Sequence, residues 1–160
     1  MNWFEKQFVA LTRPLARRLA RAYGIRVDNP WAGEGRHSLH FDDPADRIRD
    51  LVPASVRFNT QSGSIRVGHN TVFGEGVQVL TGKHANIAEA ETNGLSLHDV
   101  PLNGRDIIIG SQCYIGGNAI IIGPARIGDF AVIGAGSVVT KDVPSRTFVA
   151  GVPARVIRTL

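Results

Sequence analysis

Residues 109–139, IGSQCYIGGNAIIIGPARIGDFAVIGAGSVV, decide the fold. Read in steps of six, Ile109, Ile115, Ile121, Ile127, Ile133 and Val139 fall in one phase, and glycine directly follows four of them, at Gly110, Gly116, Gly128 and Gly134. Four residues after these aliphatics stand Cys113, Ala119, Ala125, Ala131 and Ser137, all small. A period of six matches neither the 3.6 of an α-helix nor the alternation of one half-buried strand; it suits a short strand and a tight corner repeated around a prism. The aliphatic points inward from every face. The second inward position must be small, because a narrow coil has no space for two large side chains per face. Glycine is expected to relieve the backbone where the chain bends.

Working outward, Val67, Phe73 and Val79 continue the phase upstream, so nine residues share it, with Thr71 and Val77 at the second position and Gly68 and Gly74 at the glycine position. Between Val79 and Ile109 the step is thirty, still a multiple of six. Residues 83–104, KHANIAEAETNGLSLHDVPLNG, lack the repeat and are expected to leave the prism as a loop, and long loops in compact domains are usually functional. Earlier still, Gln61 and Ser55 stand in the aliphatic phase, which predicts an irregular first coil or entry through a different turn. Residues 2–23 place Phe4, Phe8, Leu11, Leu15 and Leu19 at helical spacing, with Lys6, Arg13, Arg17, Arg18 and Arg21 mostly elsewhere around the turn and Pro14 as a kink. The expected organisation is an amphipathic α-helix over 1–24, a connector over 25–51 and the repeat domain over 52–160.

The chain of 160 residues with 43% hydrophobic content is long enough for one packed domain and a small appendage, and 18 glycines point to a backbone that turns often. Its formal charge of +4 permits an anionic partner without selecting one. One cysteine, Cys113, excludes an intramolecular disulfide framework and favours a reducing, cytoplasmic setting. No run approaches the roughly 20 apolar residues that span a bilayer, and no secretory leader is evident, so export is not expected.

The repeat resembles that of the hexapeptide-repeat acyltransferases. The resemblance implies an all-β, left-handed parallel β-helix with three hexapeptides per coil; the general rule for parallel crossovers predicts the opposite hand. It further implies a homotrimer, acetyl-CoA as co-substrate and no required metal. His84, in VQVLTGKHAN, stands where the repeat ends, and the segment is similar to the Thr-x-x-His of maltose and galactoside O-acetyltransferases, whose histidine is the catalytic base. Neutral imidazole suits that task near pH 7. On the acceptor side, the carboxylate that the family places before the histidine falls by spacing on Gln61, with Asn59 the nearest polar substitute. His98, beside Asp99, competes for the role of base or of an acceptor contact from a mobile loop. His69 is read as a surface turn residue, while His37 and His40 lie in the connector.

The stretch from Tyr114 to Arg158 carries the resemblance furthest. Matched residue by residue, it implies a backbone amide at Gly117 near the thioester, Ala135 and Thr140 on pantetheine, and Lys141, Arg155 and Arg158 near the nucleotide phosphates, with Tyr114 packed beside the acyl site. Cys113 falls on the small inward phase and is not expected to be a nucleophile.

The activity implied is direct acetyl transfer to a hydroxyl of a sugar or lipid-linked glycan, in surface-polysaccharide synthesis, with no nucleic-acid partner; the amphipathic segment 2–23 is expected to pack on the first coil or a neighbouring subunit, with contact to an anionic membrane at the inner face as the alternative. Three alternatives share the prism: an amino-sugar N-acetyltransferase, a zinc carbonic anhydrase built on His69, His84 and His98, and a non-catalytic interaction surface.

Overall fold

The structure, a computed structural model, describes residues 34–160. The chain enters at β1 (Glu34–Gly35) and β2 (Leu39–Phe41), forms helix α1 (Ala45–Leu51), and continues into β3 (Arg57–Thr60). A full coil follows in β4 (Ile65–Val67), β5 (Val72–Phe73) and β6 (Gln78–Leu80). After an excursion that contains helix α2 (Ile87–Asn93), two more coils run through β7 (Ile107–Ile109), β8 (Tyr114–Ile115), β9 (Ile120–Ile122), β10 (Ala125–Ile127), β11 (Val132–Ile133) and β12 (Val138–Val139). Strands β13 (Thr147–Ala150) and β14 (Arg155–Thr159) close the chain. They stack into three sheets: sheet A in the order β1-β3-β6-β9-β12, sheet B as β2-β4-β7-β10, and sheet C as β5-β8-β11-β13-β14. Every pairing is parallel except the final β13–β14 hairpin.

The interior follows the expected phase. All nine phased residues from Val67 to Val139 are at most 3% exposed, and so are the second-position residues Thr71, Val77, Cys113, Ala119, Ala125, Ala131 and Ser137. Each face therefore contributes one bulky and one mostly small side chain per coil. Stacked coils keep this in register, with Tyr114 opposite Val132 and Ile109 opposite Ile127, eighteen residues on.

The corners differ from the expectation that glycine supplies the bend. None of the six glycines that follow a phased residue has a positive φ. The left-handed residue comes two positions later: Asn70, Gly76, Gln112, Asn118, Phe130 and Gly136, with φ between 53° and 70°. The glycines are needed because the neighbouring coil is too close; a Cβ on Gly116 would lie 2.5 Å from the Ala135 amide nitrogen. Close approach, rather than dihedral freedom, explains the glycine in the repeat.

The first coil accounts for the faltering phase. Val79 pairs with Phe58, twenty-one residues back, so a step of eighteen lands on Gln61 and misses the inward residue. Helix α1 replaces the sheet C strand of this coil, starting after Pro44 with Asp46 in its first turn and Arg49 in its last. Residues 34–51, expected as connector, supply strands to sheets A and B through β1 on β3 and β2 on β4. Phe41, Phe58 and Phe73 stack edge to face along this end, with ring centroids 5.5 and 5.7 Å apart. The amphipathic segment 2–23 lies outside the described residues.

Ile121, fully buried in β9, tests the interior. Ile121→Ala should lower the unfolding free energy by about 2–5 kcal/mol in urea denaturation. Gly116→Ala should also destabilise, despite its ordinary φ, because two coils must separate to admit the methyl group.

Candidate functional site

His84 stands at the corner between sheets A and B, where the chain leaves the prism. The corner is pinned from inside: the Thr81 amide and hydroxyl both donate to the Asn59 carbonyl, at 3.0 and 2.9 Å, and the Ser62 amide donates to Thr81 Oγ1 at 3.0 Å. Beyond it His84 is exposed, and its Nδ1 lies 2.8 Å from the His98 carbonyl. A carbonyl can only accept, so Nδ1 carries a proton, and in the neutral ring the lone pair then lies on Nε2. The carbonyl is itself held in place. The Ala85 amide donates to the Asp99 carbonyl at 2.8 Å, the Ser96 amide donates to Asp99 Oδ2 at 2.7 Å, and the His98 amide donates to Ser96 Oγ at 3.2 Å.

Helix α2 lies inside this excursion and was missed in the sequence, although its signals were present. Asn86 caps it: Asn86 Oδ1 accepts from the Glu89 amide at 2.9 Å while Glu89 Oε2 accepts from the Asn86 amide at 2.8 Å. Gly94 ends it in the left-handed conformation at φ 63°. The pattern Asn-x-x-Glu with a glycine five residues on would have predicted a short helix. Arg105, the first buried residue on return, was also missed; it is 2% exposed and its Nη2 donates to Glu89 Oε2 at 2.8 Å.

The residues expected on the acceptor side gather at this corner. Asn59 Oδ1 accepts from the Gln61 and Gly82 amides, both at 3.0 Å, and a Cβ on Gly82 would meet Asn59 Oδ1 and Gln61 Cβ at 2.8 Å. Asn59 and Gln61 therefore flank the backbone two residues before His84. His98 serves His84 through its carbonyl, leaving its ring exposed. The other histidines are spoken for elsewhere: His37 Nε2 donates to the Leu102 carbonyl at 2.7 Å, His40 is 3.1 Å from Asp42, and His69 is 3.3 Å from Asp43. Among the described residues no group of three or more histidine, cysteine or acidic side chains could hold a metal ion.

The residues expected to hold the donor are not brought to one place within the chain. Gly117 and Ala135 stack at the corner between sheets C and A, where the Gly136 amide donates to the Gly117 carbonyl at 2.9 Å. Thr140, Lys141 and Arg155 line a hollow of about 250 Å³ at the C-terminal end of the prism, together with Val139, Val143 and Val149. Arg158 is exposed on β14 opposite Phe148, and Tyr114 is half exposed on the outer face of sheet C. Within one chain, His84 and the Gly117–Ala135 corner occupy opposite edges of sheet A. Cys113 is buried, with its Sγ 3.2 Å from the Gly128 carbonyl, and burial pushes its thiol above the ordinary value of 9.0. That is the wrong direction for a nucleophile.

Residues 106–141 match the family described as bacterial transferase hexapeptide (six repeats). The galactoside O-acetyltransferase of Escherichia coli K12 is 37% identical over 97 residues, which cover 61% of this chain and 45% of that enzyme. The chain spans about half the length of several curated relatives that it matches. Two solved structures share the fold. The maltose O-acetyltransferase of Clostridium difficile 630 superimposes with a TM-score of 0.50 at 22% identity, covering 96% of this chain and 88% of that one. A hexapeptide-repeat acetyltransferase of Vibrio cholerae, complexed with acetyl-CoA, gives a TM-score of 0.50 at 24% identity over 79% of this chain and 69% of that one. The architecture is thus the left-handed parallel β-helix that the repeat implied.

The excursion should respond to acid through Glu89, whose carboxyl is held below its ordinary value of 4.5 by the Asn86 amide and then by Arg105. A depressed carboxylate stabilises the fold above its unfolded value and loses that contribution as pH falls through the folded one. Limited proteolysis within residues 83–104 should stay slow from neutrality down to pH 4.5 and accelerate below it, while the prism remains resistant.

Proposed function

We propose that this hexapeptide-repeat chain transfers an acetyl group from acetyl-CoA directly to a sugar hydroxyl, with His84 as general base. The observation that carries the reading is the His84 Nδ1 to His98 carbonyl contact of 2.8 Å, which in the neutral imidazole puts the lone pair on Nε2 at an exposed corner. The matched O-acetyltransferases support the reaction class.

The steps follow from the groups present. His84 Nε2 takes the proton of the acceptor hydroxyl as its oxygen attacks the thioester carbonyl. The developing oxyanion is stabilised by a backbone amide at Gly117. When the carbon–sulfur bond breaks, the imidazolium returns the proton to the sulfur, releasing the acetyl ester and CoA thiol. No covalent enzyme intermediate is needed. The exposed cations Lys141, Arg155 and Arg158 suit the nucleotide phosphates, and the stacked backbone at Gly117 and Ala135 suits the pantetheine amides, with Thr140 assigned to pantetheine by the resemblance alone.

The active unit on this reading is a homotrimer. His84 and Gly117 lie on opposite edges of sheet A in one chain, so His84 must meet the donor corner of a neighbour. The acceptor is a sugar or lipid-linked glycan for surface polysaccharide, reached in the cytoplasm at the inner face of the membrane, with residues 2–23 as the membrane contact.

His84→Ala should lower kcat by about 10²- to 10⁴-fold, with acetyl-CoA binding by calorimetry and trimer mass by light scattering unchanged. Retained turnover would move the base to another group. Lys141→Ala combined with Arg158→Ala should raise KM for acetyl-CoA with kcat nearly constant. The acceptor is identified by following CoA release against a panel of sugars, nucleotide sugars and amino sugars, in which a hydroxyl acceptor should lead.

A further inference from the structure

Arg105 is the largest fully buried side chain of the described residues, and the reaction does not use it. Its Nη2 reaches Glu89, but Nε and Nη1 have no partner and no exposure to water. Thr60 Oγ1 and Ser62 Oγ are buried and unpartnered as well. Enclosing a guanidinium on one ion pair, with two donors unsatisfied, carries a desolvation cost that the pair does not reliably recover. A methionine or leucine would fill the same space more stably. The cation therefore needs an explanation other than stability.

The partners of Glu89 supply it. A single carboxylate oxygen, Glu89 Oε2, accepts from Arg105 Nη2 and from the Asn86 amide, each at 2.8 Å. Asn86 is two residues after His84. Arg105 itself is fixed in the prism: its amide donates to the Ser62 carbonyl at 3.2 Å, and a Cβ on Gly63 would meet the Arg105 carbonyl carbon at 2.5 Å. One unbroken line of contacts thus runs from the rigid coil through Arg105 and Glu89 to the backbone beside His84. From the other side the turn 96–99 brings the His98 carbonyl to Nδ1, and the Ala85 amide ties that turn to the same backbone.

We infer that Arg105, acting through Glu89, is a positioning residue that holds His84 in register with the His98 carbonyl and so keeps Nε2 free. The inference rests on the reading of His84 as the base. Arg105 touches neither substrate nor the reacting atoms; it sets the frame in which the imidazole chooses its tautomer.

The test uses the full-length protein with acetyl-CoA and the acceptor found in the panel, comparing Arg105→Met, Arg105→Lys and Glu89→Gln with the parent. Arg105→Met should reduce kcat by about 10- to 100-fold, the range typical of a lost orienting partner, with KM for acetyl-CoA within about twofold. Imidazole nitrogen-15 shifts in histidine-labelled protein should show His84 moving from the Nδ1-protonated form to a mixture of tautomers. Arg105→Lys should recover part of both effects, since it restores a cation without the guanidinium's reach. Glu89→Gln keeps an acceptor for the Asn86 amide but removes the ion pair, and should fall in the same direction; it also tests the strut should Arg105→Met fail to assemble. Parent-like kcat and an unchanged His84 tautomer in Glu89→Gln or in assembled Arg105→Met overturn the inference. His84→Ala measured alongside separates the two ideas. If it is inactive while the Arg105 and Glu89 variants behave as the parent, the base stands and the strut falls; if it is active, the base falls.

Discussion

The width of the prism is the constraint on which everything else depends. Three sheets facing inward leave room for one large and one mostly small side chain per face, and the chain meets that demand at every turn from Val67 to Val139. The same narrowness brings successive coils so close that a methyl group at the corner would strike backbone, which requires glycine there. Because the inside is filled by alternation, the outer faces and corners are free to vary, and the candidate base stands at one such corner.

This separation explains what could be read in advance. The buried phase repeats over many coils, so one stretch sufficed to place the strands of the later coils and to identify Cys113 as packing. The reason for glycine was not legible, because a letter code does not distinguish a residue that needs an unusual φ from one that needs an absent side chain. The first coil escaped as well: three extra residues between Phe58 and Val79 shift the count, and a fixed step cannot report an insertion inside a coil. The expected connector proved to be strands because short pairs such as Glu34–Gly35 have no pattern of their own and are recognisable only by their neighbours.

Within the candidate site, His84 was singled out by a short Thr-x-x-His resemblance at a break in the regular pattern. The group its Nδ1 meets was not legible. Sequence matching looked for a carboxylate near Gln61 and Asn59, where family resemblance puts one, and found amides. The structure offers a backbone carbonyl from His98 instead. Any residue type carries a carbonyl, so only the fold of the excursion reveals which one arrives. Arg105 was hidden for the related reason that a buried cation resembles an exposed one until its surroundings are known.

The excursion between β6 and β7 has a consequence for how such proteins diversify. Ile65 and Ile107 pair as though nothing separated their coils, so the prism would close equally well over a shorter or different connection. A segment spliced there is, to a first approximation, a replaceable cassette. Here the exchange is conditional. The coil retains Arg105 beneath the segment, and a replacement without a carboxylate to meet it would leave an uncompensated charge in the wall of the prism. The scaffold thus constrains its own variants: new recognition loops can be accepted at this corner only if they bring the matching acid, or if the arginine is lost together with the old loop.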